Sequence, residues 1–177
     1  SDEEDDSQVW QGDQRGPRAL PGMADRTLVV GSMSKSHAMT GSRLGWIIGP
    51  AEAIAHFESL STNTNYGVAG FIQDAALYAL NQGDEMEQSV AAPFRRRRDK
   101  ALKILAGQNT VRPVPPDGAM YLLLDIRATG LNGDGFANRL LDAHRIAVMP
   151  GESLGQAATG HISVAVNVAG DIFCEAF

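Results

Sequence analysis

The sequence predicts an α/β fold in which short apolar strands alternate with helices, followed by a smaller α+β domain. An aliphatic and β-branched run at residues 27–30 is typical of a buried strand, and it leads into a stretch rich in glycine and serine at 31–45. Apolar residues then recur at helical spacing over residues 71–80. The α+β part is predicted from strand-like runs at 121–126, 146–149 and 161–166, with a helix at 135–144.

The middle of the chain is predicted to be mostly helical. A strand at residues 44–49 ends at Pro50, which also suits the start of a helix over 51–60, because the missing N–H of proline has no partner in a first turn. The remaining elements are a polar loop at 62–70, a helix that ends at Gly83 and a long helix over 84–106.

A basic run, four arginines at residues 95–98, lies within the long predicted helix. Consecutive helical residues point around nearly the full circumference, so the four side chains do not form one basic stripe. We therefore predict a solvated, partly snorkelling stretch and no nucleic-acid site. The net charge of −6, from 15 basic and 21 acidic residues, also disfavours binding to polyanions.

The stretch that follows the first strand carries the chemistry. A lysine forms a Schiff base with a carbonyl only when its amine is unprotonated, and a nearby positive charge favours that state. Lys35 has such a neighbour in Arg43. A guanidinium also presents a rigid fork of donors to a phosphate, and the hydroxyls of Ser32 and Ser34 add donors to the same group. These residue types predict a site for a phosphorylated aldehyde.

Residues 32–46 fit the pattern S-x-S-K-x-x-x-x-x-G-x-R-x-G-[WY]. This resembles the lysine segment of class I/II aminotransferases, the fold type I enzymes that depend on pyridoxal 5'-phosphate. The resemblance implies that Lys35 binds the cofactor covalently and is catalytic, and that Ser32 and Arg43 hold its phosphate. Ser34 would supply a further hydroxyl.

The resemblance extends beyond the lysine segment. Ser1-Asp2-Glu3 resembles the motif whose aspartate pairs with the pyridinium nitrogen of the cofactor, which makes Asp2 a second catalytic and cofactor-binding residue. Read without the resemblance, this acidic start is a solvated tail. Residues 115–121, 148–152 and 160–162 resemble the entry, a turn and the last strand of the family's small domain.

Two positions depart from the family pattern. Asp5 stands where the family has a tyrosine that donates to the cofactor, and a carboxylate is an acceptor only at neutral pH. Ser163, or His161 in a shifted register, stands where an arginine binds the substrate carboxylate. A smaller difference is Ser42, where an aromatic residue is usual. These changes leave open an active enzyme and a non-catalytic aminotransferase-like protein.

The resemblance predicts the domain organisation and function of a truncated member of the family. Residues 1–92 would be the C-terminal part of the large, cofactor-binding domain, and residues 93–177 the small C-terminal domain. The implied reaction transfers an amino group between an amino acid and a 2-oxo acid. A lyase of the same fold is the alternative enzyme. The complete protein is expected to be a homodimer in which the loop near Tyr66 faces the partner's active site.

Bulk features favour a cytoplasmic protein. The single cysteine, Cys174, excludes an intramolecular disulfide, and no Cys/His spacing suggests a metal site. No stretch approaches the roughly 18 continuous apolar residues of a membrane span, and the acidic start is unlike a signal peptide. We therefore expect small-molecule substrates and no metal, membrane or nucleic-acid partner.

Overall fold

The chain divides into two compact units, Ser1–Ala91 and Ala92–Phe177, and the division falls within a long helix. The computed structural model describes residues 1–168. Cys174 lies outside the described residues. None of the helices in residues 1–168 is long and apolar enough to cross a membrane.

The first unit consists of a two-stranded antiparallel sheet and a series of helices. Strand β1 pairs with β2 so that Gly31 lies opposite Trp46. The elements in order are β1 (Val29–Ser32), the single turn α1 (Met33–Ser36), β2 (Gly45–Ile48), α2 (Ala51–Thr64), α3 (Gly70–Leu80) and the start of α4 (Asp84–Leu105). Short 3₁₀ turns lie at Pro17–Ala19, Ala24–Arg26 and Thr40–Ser42.

The pairing of β1 with β2 requires glycine at two positions. A Cβ on Gly31 would lie 2.4 Å from the Trp46 indole, and one on Gly45 would lie 2.6 Å from the Gly31 carbonyl oxygen. Both distances are shorter than van der Waals contact, so a side chain at Gly31 would displace the Trp46 ring and one at Gly45 would push the two strand backbones apart. The glycines therefore let the ends of β1 and β2 lie close together beside α1.

The core of the first unit forms beneath α1. Met33 is 1% exposed and packs with Ala76 and Ala79 of α3. Met39 and Leu44 pack against this cluster from the segment between α1 and β2. Burial of Met33 thus fixes the inner side of the turn on which Lys35 lies.

The second unit is a four-stranded antiparallel sheet with helices. The strand order is β3-β4-β6-β5. The elements are the end of α4, β3 (Arg112–Val114), β4 (Tyr121–Asp125), α5 (Gly133–His144), β5 (Met149–Pro150) and β6 (His161–Ala165), with 3₁₀ turns at Arg127–Thr129, Gly151–Leu154 and Gln156–Ala158. The core consists of Ala101, Leu105, Leu122, Leu124, Ile126, Ile162 and Val166.

Two carboxylates hold the connections of the second unit. Asp125 accepts hydrogen bonds from Nε and Nη2 of Arg127 at 2.9 and 2.8 Å, and these bonds hold the pKa of the Asp125 carboxyl well below its usual range. Glu152 Oε1 accepts from the backbone N–H groups of Gly133 and Gly160 at 3.0 and 3.2 Å. The Gly133 bond is the largest cause of the lowered pKa of Glu152. Glu152 thereby ties the start of α5 to the start of β6.

The predicted elements are largely confirmed, with three corrections. The helix predicted at 51–60 extends to Thr64, so the loop is shorter than expected. The strand predicted at 146–149 is limited to Met149–Pro150, because Arg145 ends α5 in the left-handed region and residues 145–148 form no ladder. Strand β3 was not predicted, since three residues that include Pro113 carry too little pattern.

Candidate active site

Lys35 lies on the single helical turn α1, directly after β1. The turn begins at Ser32, whose backbone is extended and whose Oγ accepts a hydrogen bond from the Ser34 N–H at 3.0 Å. A serine in this position satisfies an N–H that the helix leaves free. The backbone N–H of Met33 donates to Leu44 O at 3.2 Å, which joins the turn to the segment before β2.

The N-terminal segment runs beside β1 and brings the acidic residues to the site. Asp2 forms a parallel bridge with Val30, and the Glu3 N–H donates to Val30 O at 2.9 Å. The Asp2 side chain is exposed and accepts from the Glu4 N–H at 3.2 Å. The segment is therefore held along a strand edge and is not a free solvated tail.

Two acidic side chains pair with the lysine amine. Lys35 Nζ donates to Asp5 Oδ2 at 2.9 Å and lies 3.4 Å from Glu4 Oε2. The lysine side chain is 19% exposed, so these pairs are partly shielded from water. Carboxylates stabilise the ammonium form of an amine, whereas attack on an aldehyde requires the neutral form. Asp5, which is predicted to stand at the position of the family tyrosine, thus pairs directly with the Lys35 amine.

Three of the residues expected to bind phosphate line one cleft. Ser32, Ser34 and Arg43 surround a cavity of about 310 Å³ next to the β1–β2 pair. Arg43 adopts a left-handed conformation with φ 50°, and its Nη1 donates to Thr40 O at 2.9 Å. Trp46 forms part of the same wall. Ser32 and Arg43 are eleven positions apart in sequence. They line the same cavity because the chain turns back between β1 and β2.

Glu4 also lines this cleft, and the sequence analysis did not single it out. It lies in the acidic run in which only Asp2 and Asp5 were assigned roles. Glu4 begins a turn over residues 4–7, and no pattern in the sequence marks it as a cleft residue. A carboxylate beside a phosphate site opposes anion binding, so Glu4 offsets part of the positive charge that Arg43 brings to the cleft.

Ser163 and His161, the positions predicted to match the family arginine, lie in the second unit. Ser163 is central in β6, opposite Leu123 of β4 and Met149 of β5. His161 begins the strand, and its Nδ1 lies 3.1 Å from Thr159 O. Both residues occupy the same face of the strand because side chains alternate. Neither side chain offers the planar fork of an arginine.

The basic run 95–98 does not form a uniform basic surface. Arg97 Nη1 donates to Val166 O at 2.9 Å, and its guanidinium lies 5.5 Å from the Phe94 ring centroid. Arg98 Nε lies 3.5 Å from Asp99 Oδ1. In residues 1–168, no group of three or more His, Cys, Asp or Glu side chains is arranged to hold a metal ion.

The comparisons with known proteins agree on one family. The family described as aminotransferase class I and II matches residues 6–172. An arginine–pyruvate transaminase, AruH of Pseudomonas aeruginosa, is 44% identical over 176 residues, which are 99% of this chain and 45% of that protein. A bifunctional aspartate and glutamate/aspartate-prephenate aminotransferase of Petunia hybrida is 36% identical over 85% of this chain and 34% of its own length.

Solved structures give the same result. The crystal structure of an aromatic aminotransferase from Pyrococcus horikoshii OT3 matches with a TM-score of 0.93 and 30% identity, over 99% of this chain and 47% of that one. The chain therefore belongs to the class I and II aminotransferase family and has part of the fold type I architecture. It spans about half the length of the relatives it matches.

The similarity to arginine–pyruvate transaminase was also predicted from three segments of this sequence. Residues 34–41, 95–98 and 125–131 resemble that transaminase, and the 44% identity confirms the resemblance.

Proposed function

We propose that the chain is part of a pyridoxal-phosphate-dependent aminotransferase that transfers an amino group between an amino acid and a 2-oxo acid. The observation that carries the proposal is the cleft in which Ser32, Ser34 and Arg43 meet, with Lys35 one residue after Ser34 on the same turn. Two hydroxyls and a guanidinium are the donors that a phosphate monoester requires. The residues present therefore fit the cofactor.

Each residue has a distinct role in this proposal. When bound, pyridoxal phosphate supplies an aldehyde that links to amines and a ring that withdraws electrons from the substrate α-carbon. Ser32, Ser34 and Arg43 would hold the phosphate, and Asp2 would keep the ring nitrogen protonated. Lys35 Nζ would hold the aldehyde and, once displaced by the substrate amine, would accept and return the proton of the substrate α-carbon.

The domain assignment follows from the same proposal. Residues 1–92 form the C-terminal part of the large domain and residues 93–177 form the small domain. The two compact units described above support this boundary to within one residue. The single cysteine supports a reducing, cytoplasmic location.

The phosphate site is tested by reductive trapping. The chain is incubated with pyridoxal phosphate and reduced with borohydride, and the labelled lysines are located by mass spectrometry. We define the labelling ratio as the label on Lys35 divided by that on the two other lysines, Lys100 and Lys103, which are exposed on α4. The phosphate preference is the labelling ratio with pyridoxal phosphate divided by that with pyridoxal, which lacks the phosphate.

Arg43→Ala is expected to lower the phosphate preference about threefold to tenfold, because a charge-assisted hydrogen bond is lost at an exposed position. Arg15→Ala is the matched control, since it removes the same charge from another exposed arginine. An unchanged preference in Arg43→Ala, or an equal loss in Arg15→Ala, would refute the assignment of the phosphate site.

The contacts of Lys35 favour one alternative, a non-catalytic member of the family. Asp5 Oδ2 lies 2.9 Å from the lysine amine, where it stabilises the charged and unreactive form. Asp5→Asn removes that charge and keeps a side chain of the same size. We expect the labelling ratio with pyridoxal phosphate to rise about threefold or more at neutral pH. Asp13→Asn, at an exposed position, is the control for net charge.

A higher labelling ratio in Asp5→Asn but not in Asp13→Asn is the expected result. An unchanged ratio in Asp5→Asn would mean that the carboxylate does not limit the reactivity of Lys35, and the alternative would lose its support.

We propose that the complete protein is a homodimer that pairs through α2, α3 and the loop between them. No residue of α2 is buried in the chain alone, and Tyr66 in the loop is 92% exposed. Large exposed apolar side chains of this kind are candidates for burial against another chain. The large apolar side chains of this surface are Phe57, Leu60, Tyr66, Phe71, Leu77 and Tyr78.

The homodimer is tested by sedimentation of the complete protein. Phe71→Asp is expected to convert dimers to monomers, because it places a charge in the apolar surface. Lys103→Asp, at an exposed position of the second unit, is expected to leave the mass unchanged. Dimers that persist in Phe71→Asp would show that the surface is not the interface.

A further inference from the structure

The residue that ends the Lys35 turn is a buried histidine. His37 follows Lys35 by two positions, and its backbone N–H donates to the Lys35 carbonyl oxygen. Its side chain turns inward and the residue is only 4% exposed. Burial of an imidazole costs free energy unless its nitrogens have polar partners.

The imidazole has a polar partner on each side. Nδ1 lies 2.7 Å from Oγ of Ser36, which is itself 5% exposed. Nε2 lies 3.7 Å from Oε1 of Glu87, a polar neighbour beyond hydrogen-bond distance on the first turn of α4. The Ser36 hydroxyl also reaches the Ser32 carbonyl oxygen at 3.4 Å. A line of polar groups thus joins the start of α1 to α4.

The turn α1 needs such an anchor. It has four residues, and a single helical turn is not stable by itself because its nucleation costs more than one hydrogen bond returns. Met33 anchors the turn by apolar burial, which has no directional preference. The hydrogen bond between the imidazole and Ser36 is directional, and the Glu87 carboxylate lies on the other side of the ring, so the two contacts favour one rotation of the turn about the Met33 anchor.

The rotation of the turn matters because the turn carries two kinds of site group, hydroxyls and an amine. Ser32 and Ser34 line the phosphate cleft, and Lys35 carries the amine. We propose that His37 is a positioning residue, which together with Ser36 and Glu87 holds these hydroxyls and the Lys35 amine in the register that a ligand with both a phosphate and an aldehyde requires. This inference rests on the proposed function.

The phosphate preference measures this register directly. Pyridoxal reaches the lysine without using the phosphate cleft, so loss of register lowers labelling by pyridoxal phosphate only. We expect His37→Phe, which keeps a buried ring but no nitrogens, to lower the preference about threefold to tenfold, the range expected for a lost hydrogen bond of ordinary strength. Ser36→Ala and Glu87→Ala are expected to lower it in the same direction.

Matched controls separate positioning from general effects. Glu85→Ala removes an exposed carboxylate from the same first turn of α4, so it has the same effect on helix capping and charge. His56→Phe makes the same substitution at an exposed position of α2. Both controls are expected to keep the wild-type preference. Circular dichroism and thermal unfolding are recorded for every variant.

Two conservative variants keep the inference testable even if His37→Phe does not fold. His37→Gln retains a polar group near the Nε2 position, and His37→Asn retains one near Nδ1. We expect each to keep part of the phosphate preference that is lost when both nitrogens are removed. In Ser36→Ala combined with Glu87→Ala, the loss is expected to be smaller than the product of the single losses, because the groups act as one chain.

The outcomes distinguish this inference from the function on which it rests. A wild-type chain with no phosphate preference at Lys35 would overturn both. A wild-type preference that persists in folded His37→Phe, His37→Gln and Glu87→Ala chains would overturn the inference alone, even if those chains unfold at lower temperature. A preference lost in His37→Phe and kept in Glu85→Ala and His56→Phe is the result we expect.

Discussion

Lys35→Ala is expected to abolish the specific label that borohydride fixes from pyridoxal phosphate. Lys35 is 19% exposed and lies on the turn beside the Ser32, Ser34 and Arg43 cleft, whereas Lys100 and Lys103 are exposed on α4 and do not line that cleft. The label left on the two α4 lysines serves as the internal standard. We expect the label on Lys100 and Lys103 to be unchanged. The total label should therefore fall only by the amount that Lys35 carries in the unaltered chain.

The matched substitution Lys103→Ala is expected to remove only nonspecific label. A chain in which Lys35→Ala and Lys103→Ala lose equal amounts would contradict the assignment of Lys35. Lys35→Arg adds a further control, because it keeps the positive charge that pairs with Asp5 and Glu4 but cannot form the covalent link. Its label should match that of Lys35→Ala.

Leu122→Ala is expected to destabilise the second unit by about 2–5 kcal/mol, the range for loss of a buried leucine with partial collapse of the cavity. Leu122 lies in β4, is fully buried, and packs among Ala101, Ile162 and Val166 in the core. The free energy of unfolding is measured by denaturant titration. A spectroscopic probe in the second unit monitors the unfolding transition. The exposed residue Leu141 of α5 provides the control, and Leu141→Ala is expected to cost far less.

A loss for Leu122→Ala no larger than that for Leu141→Ala would mean that the described core does not form in solution. The free energy is assigned to the second unit because the chain divides into two units, and a single transition is not assumed.

The lysine segment was predictable because its pattern is local. Residues 32–46 place fixed residue types at fixed spacing, and a strand followed by a tight turn brings Ser32 and Arg43 to one cleft. The long helix α4 was predictable for the same reason, since helical periodicity is a property of neighbouring residues. The sequence therefore predicted the fold class correctly. It also identified Ser32, Ser34 and Arg43, which line one cleft, and their role as phosphate ligands stays a prediction.

Contacts between distant residues were not predictable. Asp5 and Lys35 are 30 positions apart, and the sequence identified Asp5 as a departure without indicating that it pairs with the lysine amine. Arg97 reaches Val166 O across 69 positions. The inward direction of His37 likewise depends on α4, because Glu87 supplies its second partner. Such pairings follow from tertiary packing, which periodicity does not describe.

Short strands were the other weak point. Strands β3 and β5 have three and two residues, and their existence depends on the neighbouring strands β4 and β6 rather than on their own composition. The sequence gives a stronger signal for β4 and β6, which are longer and contain the buried residues Leu122, Leu124 and Ile162.

The assignment of Lys35 as the cofactor lysine is tested most directly by mapping the borohydride-fixed label in the unaltered chain. Pyridoxal phosphate and pyridoxal are compared at equal concentration, and the label on each of the three lysines is quantified by mass spectrometry. We predict that pyridoxal phosphate labels Lys35 in preference to Lys100 and Lys103, and that pyridoxal does so much less. Label spread evenly over the three lysines with both aldehydes would contradict the assignment.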